Sequence, residues 1–315
     1  MEEQRGLMVD VRPVEARHLP QLQRLVAEHL QLARFPFDRS ANVLRDRVAR
    51  SLGSDGLFAE RRRLIVWAAL DGRRLVGAVR AYAVDRQPGE PTHPDDQVPA
   101  GIAWLLFEPV RSSVGATLLE SALEWIGDDS EDVDAFDLAH GLGWGAGVPT
   151  AWQHVDKILT RRGFTSAGTS YLMWGEAPPV FAGSVNRDVR LEFEVSGDDA
   201  WQFWARLDGQ RVGELLATRM DASTGWQPTW QGGRWIDWVH VNESHRRRGI
   251  AAAMFAGLGD HARQSGVRRL AGATRSTAAI RLNERLGLTS RLVLRRYAPP
   301  ACQEETRLCG RRVNS

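Results

Sequence analysis

The chain has 315 residues, 43% hydrophobic and 25% charged, with a formal net charge of +2. That length allows two domains with sizeable cores, and the near-neutral balance argues against a nucleic-acid binder held by backbone charge. The opening MEEQRGLMVD has no cationic segment followed by an apolar core, and Leu64–Leu70 and similar apolar runs are far too short to cross a bilayer, so neither a signal peptide nor a membrane span is expected. Two cysteines, Cys302 and Cys309, fit no zinc or redox spacing. Free thiols, no metal and a cytoplasmic location are the expectation.

In chain order, apolar periodicity predicts helices over 19–32 and 41–52. WAALDGRRLVG, Trp67 to Gly77, follows as a hairpin with an Asp-Gly turn. A proline-bearing loop, Arg86 to Gln97, carries Asp95 and Asp96 and is placed to overhang a cleft between domains. GIAWLLF (101–107) predicts a strand and VGATLLESALEWI (114–126) a helix. ILTRRGF (158–164) is a helix ended by glycine. After EAPPVFAGS, Glu176 to Ser184, which has the composition of a linker, the same order returns. RDVRLEFEV opens a strand, WARLDGQRVG (204–213) repeats the hairpin, WIDWVHV and GIAAAMFAGLGDHA repeat strand and helix, and RLNERLGL (281–288) repeats the glycine-ended helix. The reading is a tandem α/β protein with a mixed sheet in each copy: 1–178, 185–298 and a polar tail over 299–315. The second copy lacks the two opening helices, so its sheet is expected to be partly uncovered and the halves to pack on each other.

VHVNESHRRRGIAAAM, Val239 to Met254, is the most informative stretch. Apolar residues at Ile250, Met254, Leu258 and Ala262 recur as on one helix face, and RWIDWVHV before them is strand-like. A strand, a tight turn and a helix place unpaired amides at the positive end of the helix dipole, which suits phosphate. Gly249 admits close approach of an anion to the backbone, and Ala251 to Ala253 keep the first turn free of bulk. Arg246, Arg247 and Arg248 add positive charge.

Val241, Arg246, Gly249 and Ala251 resemble the pyrophosphate-loop pattern of the GNAT acetyltransferases, and STAAIRLNERLGL, Ser276 to Leu288, resembles that family's fourth helix. The resemblance covers 189–297 well and the first half loosely. It implies acetyl-CoA, or another acyl-CoA, bound by Val239, Val241, Arg246, Arg247, Arg248, Gly249, Ile250, Ala251 and Ala252, with a backbone amide at Val241 polarising the thioester. Aligning Arg111 with Arg246 sets Val114 opposite Gly249 and Ala116 opposite Ala251. The first copy is then degenerate, and a valine at 249 is expected to leave the fold intact while removing acyl-CoA.

The same resemblance points to Asp237, four residues before Val241, as a base. Strict alternation puts it on one face with Trp235, Val239 and Val241, turns His240 the other way, and makes Ile102 its counterpart in the first copy. Where the family often carries a tyrosine that protonates the leaving thiolate, this chain has Asn283, which can hydrogen-bond the sulfur but not supply a proton. Water or Tyr297 is left for that step. Trp226, Trp230, Trp235 and Trp238, with Trp144 and Trp152 in the first copy, are core residues or walls for a flat acceptor. The expected reaction is acetyl transfer to an amine of a small molecule lying between the domains, by a monomer or homodimer. A non-catalytic acyl-CoA sensor and an acetyltransferase resembling mycothiol synthases are the alternatives.

Overall fold

The computed structural model describes residues 9–35, 40–52, 62–84, 100–127, 133–135, 147–175, 180–196, 200–220 and 230–298. The loop over 86–97, Trp144, Trp226, the tail with both cysteines and part of the 176–184 linker lie outside these residues.

The first copy runs β1 (Asp10–Pro13), α1 (Leu19–Leu32), α2 (Ala41–Leu52), β2 (Arg62–Asp71), β3 (Arg74–Val84), β4 (Ala100–Phe107), α3 (Ser112–Ile126), β5 (Val133–Ala135), β6 (Val148–Pro149), α4 (Gln153–Arg161) and β7 (Thr165–Gly175). The second runs β8 (Arg190–Ser196), β9 (Ala200–Leu207), β10 (Gln210–Arg219), β11 (Arg234–Val241), α5 (Ile250–Gln264), β12 (Leu270–Thr274), α6 (Thr277–Arg285) and β13 (Ser290–Ala298). Both expected opening helices are present. α1 carries Pro20 in its first turn, where the missing N–H costs nothing, and it buries Leu22, Leu25, Val26 and Leu30. Each such side chain contributes about 1.5–3 kcal/mol by leaving water. The second hairpin turns through Asp208 (φ 51°) and Gly209 (φ 79°), a pair of left-handed residues that matches the strand twist.

All the described strands belong to one sheet, in the order β1-β2-β3-β4-β5-β13-β7-β12-β11-β10-β9-β8, with β6 paired to β13. The centre is a reciprocal exchange. β7 of the first copy lies between β12 and β13 of the second, and β13 lies between β5 and β7 of the first. The linker separates the copies along the chain, while the hydrogen-bonded sheet runs across it. The halves are therefore joined through the sheet and not simply stacked face to face. The first copy's core reaches over to Met220, Trp230 and Ala271, with Trp235 packed against it.

Coverage differs between the copies as the missing helices require. β4 is buried at all eight positions, with α1 and α3 both packed on it. β9 alternates half-buried and buried residues, because among the described residues α5 is the helix packed on it. The apolar row foreseen on α5, Ile250, Met254, Leu258 and Ala262, is buried against that one face.

Candidate active site

β11 and β12 are parallel neighbours only from Arg234–Ile236 to Leu270–Gly272, after which they diverge. Beyond Ile236 the amides and carbonyls of β11 that face β12 have no ladder partner there. On its other side β11 bulges: Ile236 pairs with Ala217 and Trp238 with Leu216, so Asp237 is the extra residue. This corrects the alternation reading. Val239 and Val241 pack with Ile236 on the α5 face, whereas Asp237 is hydrogen-bonded by the hydroxyl and the backbone amide of Thr218. Thr218 alternates with Leu216 and Glu214 on the face that no helix among the described residues covers, which is also the face of Trp238 and His240. Desolvation pushes the Asp237 pKa up, and the two Thr218 bonds oppose it. A carboxyl with an exposed edge and a raised pKa is poised to take a proton.

Past β11 the chain turns sharply into α5. Arg247 (φ 63°) and Gly249 (φ 76°) are both left-handed, and α5 begins without a side-chain cap. The leading amides of that helix thus stay free for a ligand. Asn186 braces the turn by donating its side-chain amide to the Arg248 carbonyl at 2.9 Å. Arg246 spans it from the other side, with Nε 3.4 Å from the Val241 carbonyl. These elements frame a cleft of about 1160 Å³ between β11, β12, α5 and α6. Val239, Val241, Arg246, Arg247, Gly249, Ile250, Ala251, Ala252, Asp237 and Asn283 all line it; Arg248 does not. Arg275, Arg281 and Arg285 on the opposite wall add cations that the sequence reading left out. A cleft of this size, lined by the uncapped amides of α5, by arginines and by apolar side chains, fits a phosphate-bearing thioester such as acetyl-CoA.

Deeper in the cleft, Asn283 is 4% exposed. Its Nδ2 donates to Met173 Sδ at 3.7 Å, while Oδ1 is buried without a partner. Met173 belongs to β7, and so does the cleft-lining Ser170. Neither was legible in the sequence, because strand exchange brings them from the other copy. Tyr297 is not a cleft residue. It is buried beside α4, where it donates to Asp156, and burial pushes its pKa to about 12.

The first copy departs from the expected alignment. Its strand has the same bulge, with Ile102 paired to Ala81 and Trp104 to Arg80, so Ala103 and not Ile102 matches Asp237. A Cβ on Gly213 would lie 3.1 Å from both Ile250 and Met254, and one on Gly77 would lie 2.9 Å from Val114 and 2.8 Å from Leu118. Val114 therefore matches Ile250, and Ser113 stands where Gly249 does. Since Phe107 matches Val241 by its pairing with Gly77, the first loop is two residues shorter. Arg111 in that loop is tied to Asp71 and Glu108, each at 2.9 Å. Behind it the Phe107 ring fills the space beside Gly115, where a Cβ would come within 2.5 Å of it. His154 packs edge-on against Phe107 with ring centroids 4.9 Å apart, and its Nε2 lies 3.1 Å from Nε2 of His29. Desolvation lowers the pKa of His29 to about 3 and that of His154 to about 4. In the first copy Phe107 and His154 thus fill the space between strand and helix beside Gly115, and a cavity of about 250 Å³ remains at the start of α3 against α4.

The sequence profile of the Acetyltransferase (GNAT) family matches residues 172–288. No curated protein matches the chain. Among solved structures, a glucosamine N-acetyltransferase region of a fungal multi-domain β-N-acetylglucosaminidase superposes with TM-score 0.67 at 12% identity, over 93% of this chain and 38% of that one. The chain thus spans well under half of that fungal enzyme. A GCN5-related N-acetyltransferase from Sphaerobacter thermophilus gives 0.60 at 18% identity, over 92% of this chain and 94% of that one. A tandem GNAT protein from the clavulanic acid biosynthesis pathway gives 0.55 at 18%, over 92% and 97%. At these identities the superpositions establish the fold, repeated twice, and the profile match falls on the copy with the open cleft. Residues 172–288 thus match the Acetyltransferase (GNAT) family, and the chain as a whole has the fold of tandem GNAT proteins.

Proposed function

We propose that the second copy binds acetyl-CoA, or another acyl-CoA, and transfers the acyl group to an amine of a small molecule. The observation that carries this reading is the cleft between splayed β11 and β12, opening at the uncapped N-terminus of α5. Bound there, the cosubstrate supplies an acyl thioester whose C–S bond is exchanged for a C–N bond. Arg246, Arg247 and the amides of Gly249 to Ala252 hold its phosphates, and the free amides around Val239 and Val241 orient the acyl end. The acceptor comes in at the seam between the halves, where Ser170 of β7 lines the same cleft as Asp237. Asp237 takes the proton that the amine loses, directly or through a water. Asn283, whose Nδ2 is engaged with Met173, offers Oδ1 as an acceptor for an amide N–H of the cosubstrate's arm, and water returns the proton to the thiolate. A thiol-release assay over a panel of amines, alongside calorimetric titration with acetyl-CoA, tests it. Absence of binding, or binding confined to the Val110–Ala116 loop, would overturn it.

One residue favours a second reading. Asn283 leaves no phenol at the usual acid position, as suits a protein that binds acyl-CoA without turning it over. That reading requires tight acetyl-CoA binding with no amine-dependent thiol release.

A further inference from the structure

Resting on that acyltransfer reading, we propose that the acceptor is a dication: one nitrogen reacts at Asp237, and a second, positively charged nitrogen is held by Trp238 and Glu214 on the face of β10 and β11 where Trp238 is exposed. The face is specific to the second copy. The residues matching Trp238 and His240 in the first copy are Trp104 and Leu106, both fully buried. The residue matching Glu214 is Ala78, also buried. The second copy has thus not merely lost its helices. It keeps the tryptophan, now 54% exposed, and puts a carboxylate and an imidazole in place of alanine and leucine.

The arrangement selects for charge. Glu214 pairs directly across from His240, diagonal to Trp238 on the same face. Its carboxylate accepts a hydrogen bond from the neutral Gln202 at 2.7 Å and forms no ion pair among the described residues. The nearby arginines are committed elsewhere: Arg206 and Arg211 reach Glu192, and Arg211 stacks on Trp204. The Trp238 ring lies parallel to that of His240, with centroids 6.1 Å apart and planes at 13°. An electron-rich ring edged by an uncompensated carboxylate attracts an ammonium group. At the rise of a strand, the Glu214–His240 pair lies roughly 10 Å along β11 from Asp237. That separation suits a linear diamine better than a compact amino sugar, whose single nitrogen would leave Glu214 unused.

The test compares cadaverine, pentylamine and glucosamine. Thiol release gives kcat/KM with acetyl-CoA, and calorimetry measures amine binding to the CoA-loaded protein. The diamine is expected to exceed pentylamine about tenfold in kcat/KM, mainly through KM, as one cation–π contact with a carboxylate allows. In Glu214→Gln and in Trp238→Ala the diamine-to-monoamine ratio falls to near one, and Trp238→Phe retains part of it. Equal use of diamine and monoamine by the parent protein, or preference for glucosamine, overturns the dication proposal and leaves acyl transfer standing. Diamine binding that depends on Glu214 with no thiol release from any amine keeps the cation site and removes the transfer reading. No amine binding removes both.

Discussion

Asn186 donates its side-chain amide to the Arg248 carbonyl, and its own Cβ lies 3.2 Å from where a side chain on Gly249 would begin. The bracing contact and the glycine are thus one device. Gly249 has φ 76°, a region where an L side chain costs about 1–2 kcal/mol. Gly249→Ala is therefore expected to lower the ligand-free melting temperature by a few degrees and to weaken acetyl-CoA binding tenfold or more, since each charge-assisted contact is worth about 1.5–3 kcal/mol. The expectation that a valine here would leave the fold intact rested on Val114, which the structure places opposite Ile250. Thermal melts and calorimetric titration measure both effects. Full retention of affinity would move the phosphates away from this turn.

Asp237→Asn separates chemistry from binding. The Asp237 pKa is raised in the folded protein by desolvation. The ionised form is thereby disfavoured on folding, and the corresponding stability is lost as pH rises through the raised value. The amide variant should consequently melt no lower than the parent at neutral pH. Loss of a general base typically costs 10²–10⁴-fold in turnover, and the acid limb of the parent's pH–rate profile should disappear with it. Parallel profiles for variant and parent would exclude the carboxylate as base.

The sequence disclosed most of the architecture, and the gaps have physical causes. The repeat, both opening helices and the strand-turn-helix at Gly249 are local patterns, set by periodicity and turn chemistry within a dozen residues. The bulge at Asp237 is not local. It exists because Ala217 and Leu216 pair with Ile236 and Trp238, and one unpaired residue moves every later side chain to the other face. The shorter loop after Phe107 was invisible for a similar reason. Arg111 aligned with Arg246 by residue type, while the packing of Val114 against Gly77 set the real register. Met173 and Ser170 could not be foreseen at all, because no pattern along the chain announces that β7 crosses into the other copy's sheet.

The pair His29 and His154 makes the first copy acid-sensitive. Both pKa values lie below the unfolded value, at about 3 and about 4, chiefly through desolvation. Between pH 6.5 and 4 the unfolded chain binds protons that the folded one refuses, so stability falls as pH falls across that window. The fully buried His29 contributes up to about 1.4 kcal/mol per pH unit, and the part-exposed His154 less, because solvent screens it. Proton NMR should find both imidazoles untitrated from pH 8 down to 5. Titration of either ring near 6.5 would mean that the space around Phe107 is open to water.

Asn283→Leu tests whether the orphaned amide oxygen awaits a ligand. A buried acceptor without a partner costs about 1–3 kcal/mol, and leucine removes it at nearly the same volume. The ligand-free variant should therefore be at least as stable as the parent. Its acetyl-CoA affinity should fall several-fold to tenfold, the worth of one hydrogen bond. A variant that is destabilised yet binds normally would make Asn283 a packing residue.

The exchanged strands decide whether either copy can stand alone. β7 pairs with β13 over nine positions and with β12 over five, and Leu172 and Met173 on it are fully buried on opposite faces, one in each core. A fragment spanning 185–298, the second copy as the linker delimits it, lacks that strand. It would expose the edges of β12 and β13 along with the apolar floor beneath α6, a template for aggregation. The fragment 1–178 in turn lacks β13, and with it Leu294 and the Tyr297–Asp156 contact. Each fragment expressed alone is expected to be aggregated or unfolded by circular dichroism and gel filtration. Co-expressed fragments 1–178 and 179–315 should assemble one-to-one and recover acetyl-CoA binding, because every strand then finds its neighbours. A monomeric, folded 185–298 fragment that binds acetyl-CoA would show that β7 is dispensable, and that Met173 and Ser170 have no part in the site.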